Sequence, residues 1–185
     1  NIFIAHRHYL KNKFLQYKWK INMLKQIDQL QENHDCYFID FLPIKMSNAR
    51  YFEIENFFLE SYLKQFAEQI VRIVVKIIGY YPAQICLTEF PDETTDKFKY
   101  LYPVGEDIRN KPISELAGII AHVITNDISS VQILLGNEHH SLISINGGFS
   151  VNIYNATEEQ LKLFTVLVEQ ENLFLKKGAV AKVDK

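Results

Sequence analysis

Cysteine is scarce in this chain, and what there is lacks the spacing that metal or redox chemistry uses. Cys36 and Cys86 are the two in 185 residues. They form no CxxC pair, and each stands inside an apolar, strand-like run, CYFIDFL and ICLTEF. They read as small buried hydrophobes of a reducing compartment, with a disulfide between two strands of one sheet as the alternative. Long apolar runs are missing too. The best candidate, Ile70 to Ile78, is interrupted by Arg72 and Lys76, well short of the roughly 18 to 20 residues a spanning helix needs. The early residues lack the uninterrupted apolar stretch and small-residue cleavage site of a secretory signal. The expectation is a cytoplasmic protein without membrane insertion. GxSxG, GxGxxG and GxxxxGK[ST] are all missing, so neither a nucleophile elbow nor a glycine-rich phosphate cradle is announced. There is no internal repeat and no low-complexity stretch.

Acid is missing locally. Residues 1–27 carry Arg7, Lys11, Lys13, Lys18, Lys20 and Lys25 and no Asp or Glu, whereas the rest of the chain sets 14 basic side chains against all 22 acidic ones. The first segment therefore reads as a basic helical N-terminal extension over 1–27, with Leu10, Phe14, Tyr17, Ile21, Leu24 and Ile27 at helical spacing. Asn1 and the internal Met23 suggest that residues 1–22 are an addition to a core domain. The extension is read either as a docked helix with a solvated lysine face or as a nucleic-acid arm or membrane-surface helix. Beyond it lies an acidic body, which repels nucleic acid and attracts a basic protein.

With 48% hydrophobic and 23% charged residues, the remainder has the makings of one globular domain over 28–178, followed by a polar tail at 179–185. The run from Cys36 to Pro43 predicts a strand, and the spacing of Phe52, Phe58, Tyr62, Phe66, Ile70, Ile73, Val74 and Ile77 predicts one long helix over 49–79. A strand is predicted over 83–90 and another over 100–104. Pro112 opens a helix ending near Asn126. Three strands, 131–135, 142–145 and 149–154, form a meander, the last two joined by Asn146-Gly147-Gly148. Asn155, with Glu158 three residues on, is the predicted cap of a final helix that ends at a left-handed Asn172. The fold class is α+β: a mixed, mainly antiparallel sheet of five or six strands with about four helices, a C-terminal β-meander and a helix after it.

No histidine has diagnostic metal spacing. His6 and His8 flank Arg7, His34 stands alone, His139 and His140 share a turn, and His122 sits beside the apolar positions of its helix, where a structural histidine is the reading. No metal and no cofactor is expected. Glu89, Asp92, Glu93 and Asp96 gather around one strand-to-loop boundary, and Glu106 and Asp107 extend that acidic surface. Such a patch is read as a solvated loop, as the carboxylates of a hydrolase, or as a surface that steers and pairs with a basic partner. The chosen contact residues are Glu89, Asp92, Glu93, Glu106 and Asp107, with the solvent face of the last meander strand as a second surface.

The segments SELAGIIAHVI, SVQILL, SLISINGGFSVNIYN and TEEQLKLFTVLVEQENLFLKK, spanning residues 114–177, resemble a pattern in bacterial immunity proteins of contact-dependent growth inhibition and other polymorphic toxin systems. Those proteins often end in Glu-Gly-Leu-Phe-Leu. Here the ending is Glu171-Asn172-Leu173-Phe174-Leu175, a mild change because Asn, like Gly, tolerates the left-handed conformation. The resemblance implies a non-enzymatic, cytoplasmic binder of one cognate toxin domain, often a basic nuclease, which it blocks stoichiometrically. It transfers no functional residue. The rival readings are a nucleic-acid binder using the basic helix from Arg7 to Lys25, a metal-dependent hydrolase on the acidic loop, and a subunit of a larger assembly docking through Tyr80, Tyr81, Tyr100 and Tyr102.

Overall fold

The computed structural model describes residues 20–32, 35–44, 50–90, 97–136 and 140–178. Asp92, Glu93, Asp96, four of the six histidines (His6, His8, His34 and His139), most of the basic segment and the 179–185 tail lie outside the described residues. Helix α1 covers 20–32. It is followed by β1 (Cys36–Asp40), α2 (Tyr51–Ser61), α3 (Leu63–Tyr80), β2 (Ala83–Leu87), α4 (Phe98–Leu101), α5 (Ile113–Asn126), β3 (Val131–Leu135), β4 (Ser141–Ile145), β5 (Val151–Tyr154), α6 (Glu158–Glu169) and β6 (Phe174–Lys177). The strands make one six-stranded sheet in the order β2-β3-β4-β5-β1-β6. The class is α+β as expected, but among the described residues every pairing is antiparallel and there are six helices where about four are expected.

Strand alternation divides the apolar residues between two cores. On one face Ile85, Leu87, Val131, Ile133, Ile143, Ile145, Val151 and Ile153 meet α3, α5 and α6. Helix α3 supplies Phe66, Ile70, Ile73, Val74 and Ile77, all buried. Each such side chain stabilises the fold by roughly 1.5–3 kcal/mol. On the other face Cys86, Leu134 and Leu142 are covered by Met23, Ile27 and Leu30 of α1. These three recur at i, i+4 and i+7, one stripe of a helix. The expected boundary between residues 27 and 28 therefore falls inside a helix that closes a core, and from residue 20 onward the chain is part of the domain.

Four local expectations are corrected. The helix over 49–79 breaks at Tyr62, whose φ of −127° leaves the helical region, because Phe58 and Tyr62 both turn into a ring cluster with Phe41. The strand over 100–104 is instead the one-turn helix α4, fixed by Phe98 and Tyr102 at i, i+4: their rings pack at 4.7 Å, and the Tyr102 hydroxyl donates to Glu115 at 3.1 Å. The cap of α6 is Thr157, in a reciprocal box with Gln160, since Asn155 is itself left-handed and donates to the His140 carbonyl. The segment after Leu173, where no strand is predicted, pairs with β1 as β6. Asn172 is left-handed as predicted, and the Leu173 N–H reaches back to the Val168 carbonyl.

Gln69, buried in α3, accepts from the Tyr62 hydroxyl and donates to the Glu171 carbonyl. Arg72 and Lys76, the charges that interrupt the apolar run, pair with the Glu171 carboxylate at 2.8 and 3.3 Å. The outer edge of β2 is sealed by residues 105–109: the N–H groups of Gly105 and Ile108 donate to Leu87 and Ile85, and Arg109 donates to Ala83. No described strand lies beyond β6, whose Lys176 and Lys177 pair with Asp40 and Asp35. Edge lysines of this kind discourage further strand pairing. Cys36 and Cys86 are free. They stand on β1 and β2, with three strands between them, so at about 4.8 Å per strand step they are far outside disulfide reach.

Burial pushes the Cys86 thiol up from 9.0 to about 12, with the Asp107 charge adding to the shift. Burial likewise pushes the Tyr154 phenol up from 10.0 to about 12, helped by Cys36 beside it. Both groups ionise more easily unfolded than folded, so the folded chain holds more protons across that interval. Their contribution is complete below pH 9.0 and is lost as pH rises toward 12. Urea midpoints measured along an alkaline series should decline from about pH 9 upward, and a midpoint that holds steady or climbs there contradicts this assignment.

Candidate binding groove and exposed aromatic face

The structure divides the predicted acidic patch. Glu89, just past β2, and Glu106 are exposed. Asp107 is half-buried, and its Oδ1 accepts the N–H groups of Ile85 at 3.2 Å and Arg109 at 3.0 Å, while Oδ2 pairs with the Arg109 guanidinium. Its oxygens hold the segment that seals the edge of β2. Asp92 and Glu93 lie outside the described residues. The patch is also less acidic than its sequence, because the Lys20 stem lies against Gly105. The second expected surface is divided too: Tyr154 packs against the α1 core, while Ser150 and Asn152 line a groove.

That groove, of about 700 Å³, opens where β1 parts from β5 beyond the Phe38–Asn152 pair. Its walls are α2, the C-terminal end of α5 and the turn between β4 and β5. Glu55 of α2 accepts a hydrogen bond from Tyr51, one turn earlier. Burial, then the charges of Glu55 and Asp40 and that bond, raise the Tyr51 phenol above its ordinary value. Asp127 is the left-handed residue after α5, and its carboxyl lies against Gly147. The Gly148 N–H donates to the Ile124 carbonyl at 2.9 Å, which ties the turn to the helix end. With two carboxylates and the negative end of the α5 dipole facing one space, the groove suits a cationic side chain.

Beside the groove, α2 carries no buried residue. Phe52 is 70% and Phe57 66% exposed, with Leu59 also outward. The helix is held down by Phe58, whose ring meets Phe41 at 5.1 Å. Phe41 in turn meets Phe149 at 4.4 Å, and Phe149 meets Phe66 at 5.1 Å. One side is thus anchored while the opposite side presents exposed aromatics, a feature that marks interaction surfaces. Sequence reasoning missed Phe52, Glu55, Phe57 and Asp127 as candidates. A signal was available: the apolar residues Tyr51, Phe52, Ile54, Phe57, Phe58, Leu59 and Tyr62 spread over more than half of the helical circumference, wider than one packed face can absorb.

The other candidates are dispersed. Tyr80 and Tyr100 are exposed, whereas Tyr81 and Tyr102 are half-buried. His122 is half-buried, its ring 4.7 Å from that of Phe98, and it lines a groove between α3 and α5. In α1, Lys20 and Lys25 share the helix with Asp28 and Glu32, so its described turns carry no net basic face. Among the described residues no group of three or more His, Cys, Asp or Glu could hold a metal ion, and no helix is long and apolar enough to cross a membrane.

A Cβ at Gly147 would overlap the Asp127 carboxyl. Gly147→Ala should therefore cost roughly 1–3 kcal/mol in denaturant unfolding, and Asp127→Gly, which suits a left-handed position, should restore most of that loss in the double variant. Additive effects would show that the two residues are not in contact. No protein-family model matches this chain, and searches of curated proteins and of solved structures also return no match.

Proposed function

We propose that this protein works by holding a basic partner protein in a stoichiometric complex, and that the partner is a toxin domain which the complex neutralises in the cytoplasm. The observation that carries this reading is α2, a helix with no buried residue that exposes Phe52 and Phe57 beside the carboxylates of Glu55 and Asp127. Exposed rings supply the buried area of a hot spot, and the neighbouring carboxylates select a cationic surface around it. The excess of acid beyond residue 27 supports the same sign of partner, since a negative body raises the encounter rate with a positive one. The resemblance of residues 114–177 to immunity proteins supports the toxin as that partner. Glu89 and Glu106 remain as outlying contacts. At the surface such pairs contribute roughly 0–1 kcal/mol each, so the aromatic face carries most of the affinity.

The tagged chain should recover from its source cells one basic protein at equal stoichiometry, with and without nuclease treatment. Replacing Phe52 and Phe57 together by alanine should weaken that complex about 10- to 100-fold, the loss of one to two hot-spot side chains. The melting temperature should fall only a little, because both rings are mostly exposed and each touches one neighbouring ring of α2, Phe52 that of Tyr51 and Phe57 that of Phe58. Affinity that survives the double replacement removes α2 from the interface. A catch that disappears on nuclease treatment replaces the protein partner with nucleic acid.

A further inference from the structure

A second groove, of about 570 Å³, runs between the α2–α3 junction and α5. It adjoins the first through Leu59, Leu63 and Thr125, which line both. Its floor is apolar and shallow-sided, made by Leu63 and Ala67 on α3 and by Gly118 and Ala121 on α5, and its rim carries Glu60 and Glu68. Lys64 stands between those two glutamates. Across the two adjoining grooves the charged lining is Glu55, Glu60, Glu68 and Asp127 against Lys64 alone. Gly118 sits inside α5, exposed, and a Cβ there would meet nothing within 4 Å. The fold gains nothing from a glycine at that point, since glycine within a helix is less stable than alanine. What Gly118 does provide is depth, an open floor that another chain can approach closely.

We infer that this groove receives a basic amphipathic helix of the partner, an inference that rests on the partner-binding reading above and specifies how the partner is gripped. The groove is walled by helices, whose backbone groups are already bonded within themselves, so it offers no ladder to an extended strand. The occupant must satisfy its own backbone, as a helix does. From Gly118 to Thr125 the groove follows about 10 Å of α5, which matches two turns of an incoming helix with apolar anchors at i, i+3 or i+4, and i+7. Lysine or arginine flanking those anchors faces Glu60 and Glu68 on one side and Glu55 and Asp127 at the open end.

The test uses a displayed library of constrained helical peptides of about 18 residues, selected on the intact chain and measured by fluorescence anisotropy. Selected sequences should combine the apolar spacing with flanking Lys and Arg. They should bind Gly118→Leu, which fills the groove, at least about tenfold more weakly, and a Glu60→Lys, Glu68→Lys double variant by a similar factor. The double variant changes exposed side chains alone, so it gives the answer even where Gly118→Leu fails to fold. Selection of acidic or extended sequences, no enrichment at all, or binding unchanged in both variants overturns the inference. So does self-association of the chain that Gly118→Leu abolishes, which assigns the groove to a second copy. Groove-dependent peptide binding by a chain that neutralises no toxin sinks the neutralisation reading alone. Neutralisation intact in both groove variants sinks the groove alone.

Discussion

Five aromatic rings, Phe41, Phe58, Tyr62, Phe66 and Phe149, join four separate parts of the chain. Phe149 belongs to the turn before β5, Phe41 to the exit of β1, Phe58 to α2 and Phe66 to α3. Their centroid separations of 4.4 to 6.3 Å are those of packed rings, worth a further roughly 0.5–1.5 kcal/mol per pair beyond burial. Without this cluster α2 has no buried attachment of its own. Because Phe58 points inward, Phe52 and Phe57 point outward and Glu55 turns to the groove. The exposed face is thus a consequence of how the core is closed.

The sheet makes that closure possible by being covered on both faces, by α3, α5 and α6 on one side and by α1 on part of the other. Its β2 edge is occupied by residues 105–109, and Asp107 is committed to holding them. The proposed recognition surface lies instead along α2, α3 and α5, and its second groove is walled by helices whose backbone groups are already bonded. Such a surface offers a partner side-chain packing and charge rather than a strand ladder.

Residues with strong periodicity were legible in the sequence. The buried stripes of α3 and α5, the strands of the meander and the left-handed Asn172 follow from spacing and turn chemistry alone. What failed depended on long-range partners. Tyr62 breaks its helix because of Phe41 and Phe149, far away in sequence, and Phe98 and Tyr102 coil rather than extend because α5 offers them a seat. The four residues of β6 are too few to show alternation, and β1 alone makes them a strand. The candidate site was less legible still. Glu55 and Asp127 are separated by nearly half the domain, and the packing of α2, α3 and α5 with the docked β4–β5 turn brings them to one groove.

The central claim is that one surface, built by α2 and α5, carries the binding. Hydrogen–deuterium exchange of the chain, alone and saturated with its captured basic partner, tests it most directly. Protection should concentrate in residues 51–61 and 118–127. Protection confined to residues 86–90 and 105–109, with α2 and α5 unchanged, would return the interface to the acidic edge and contradict the account.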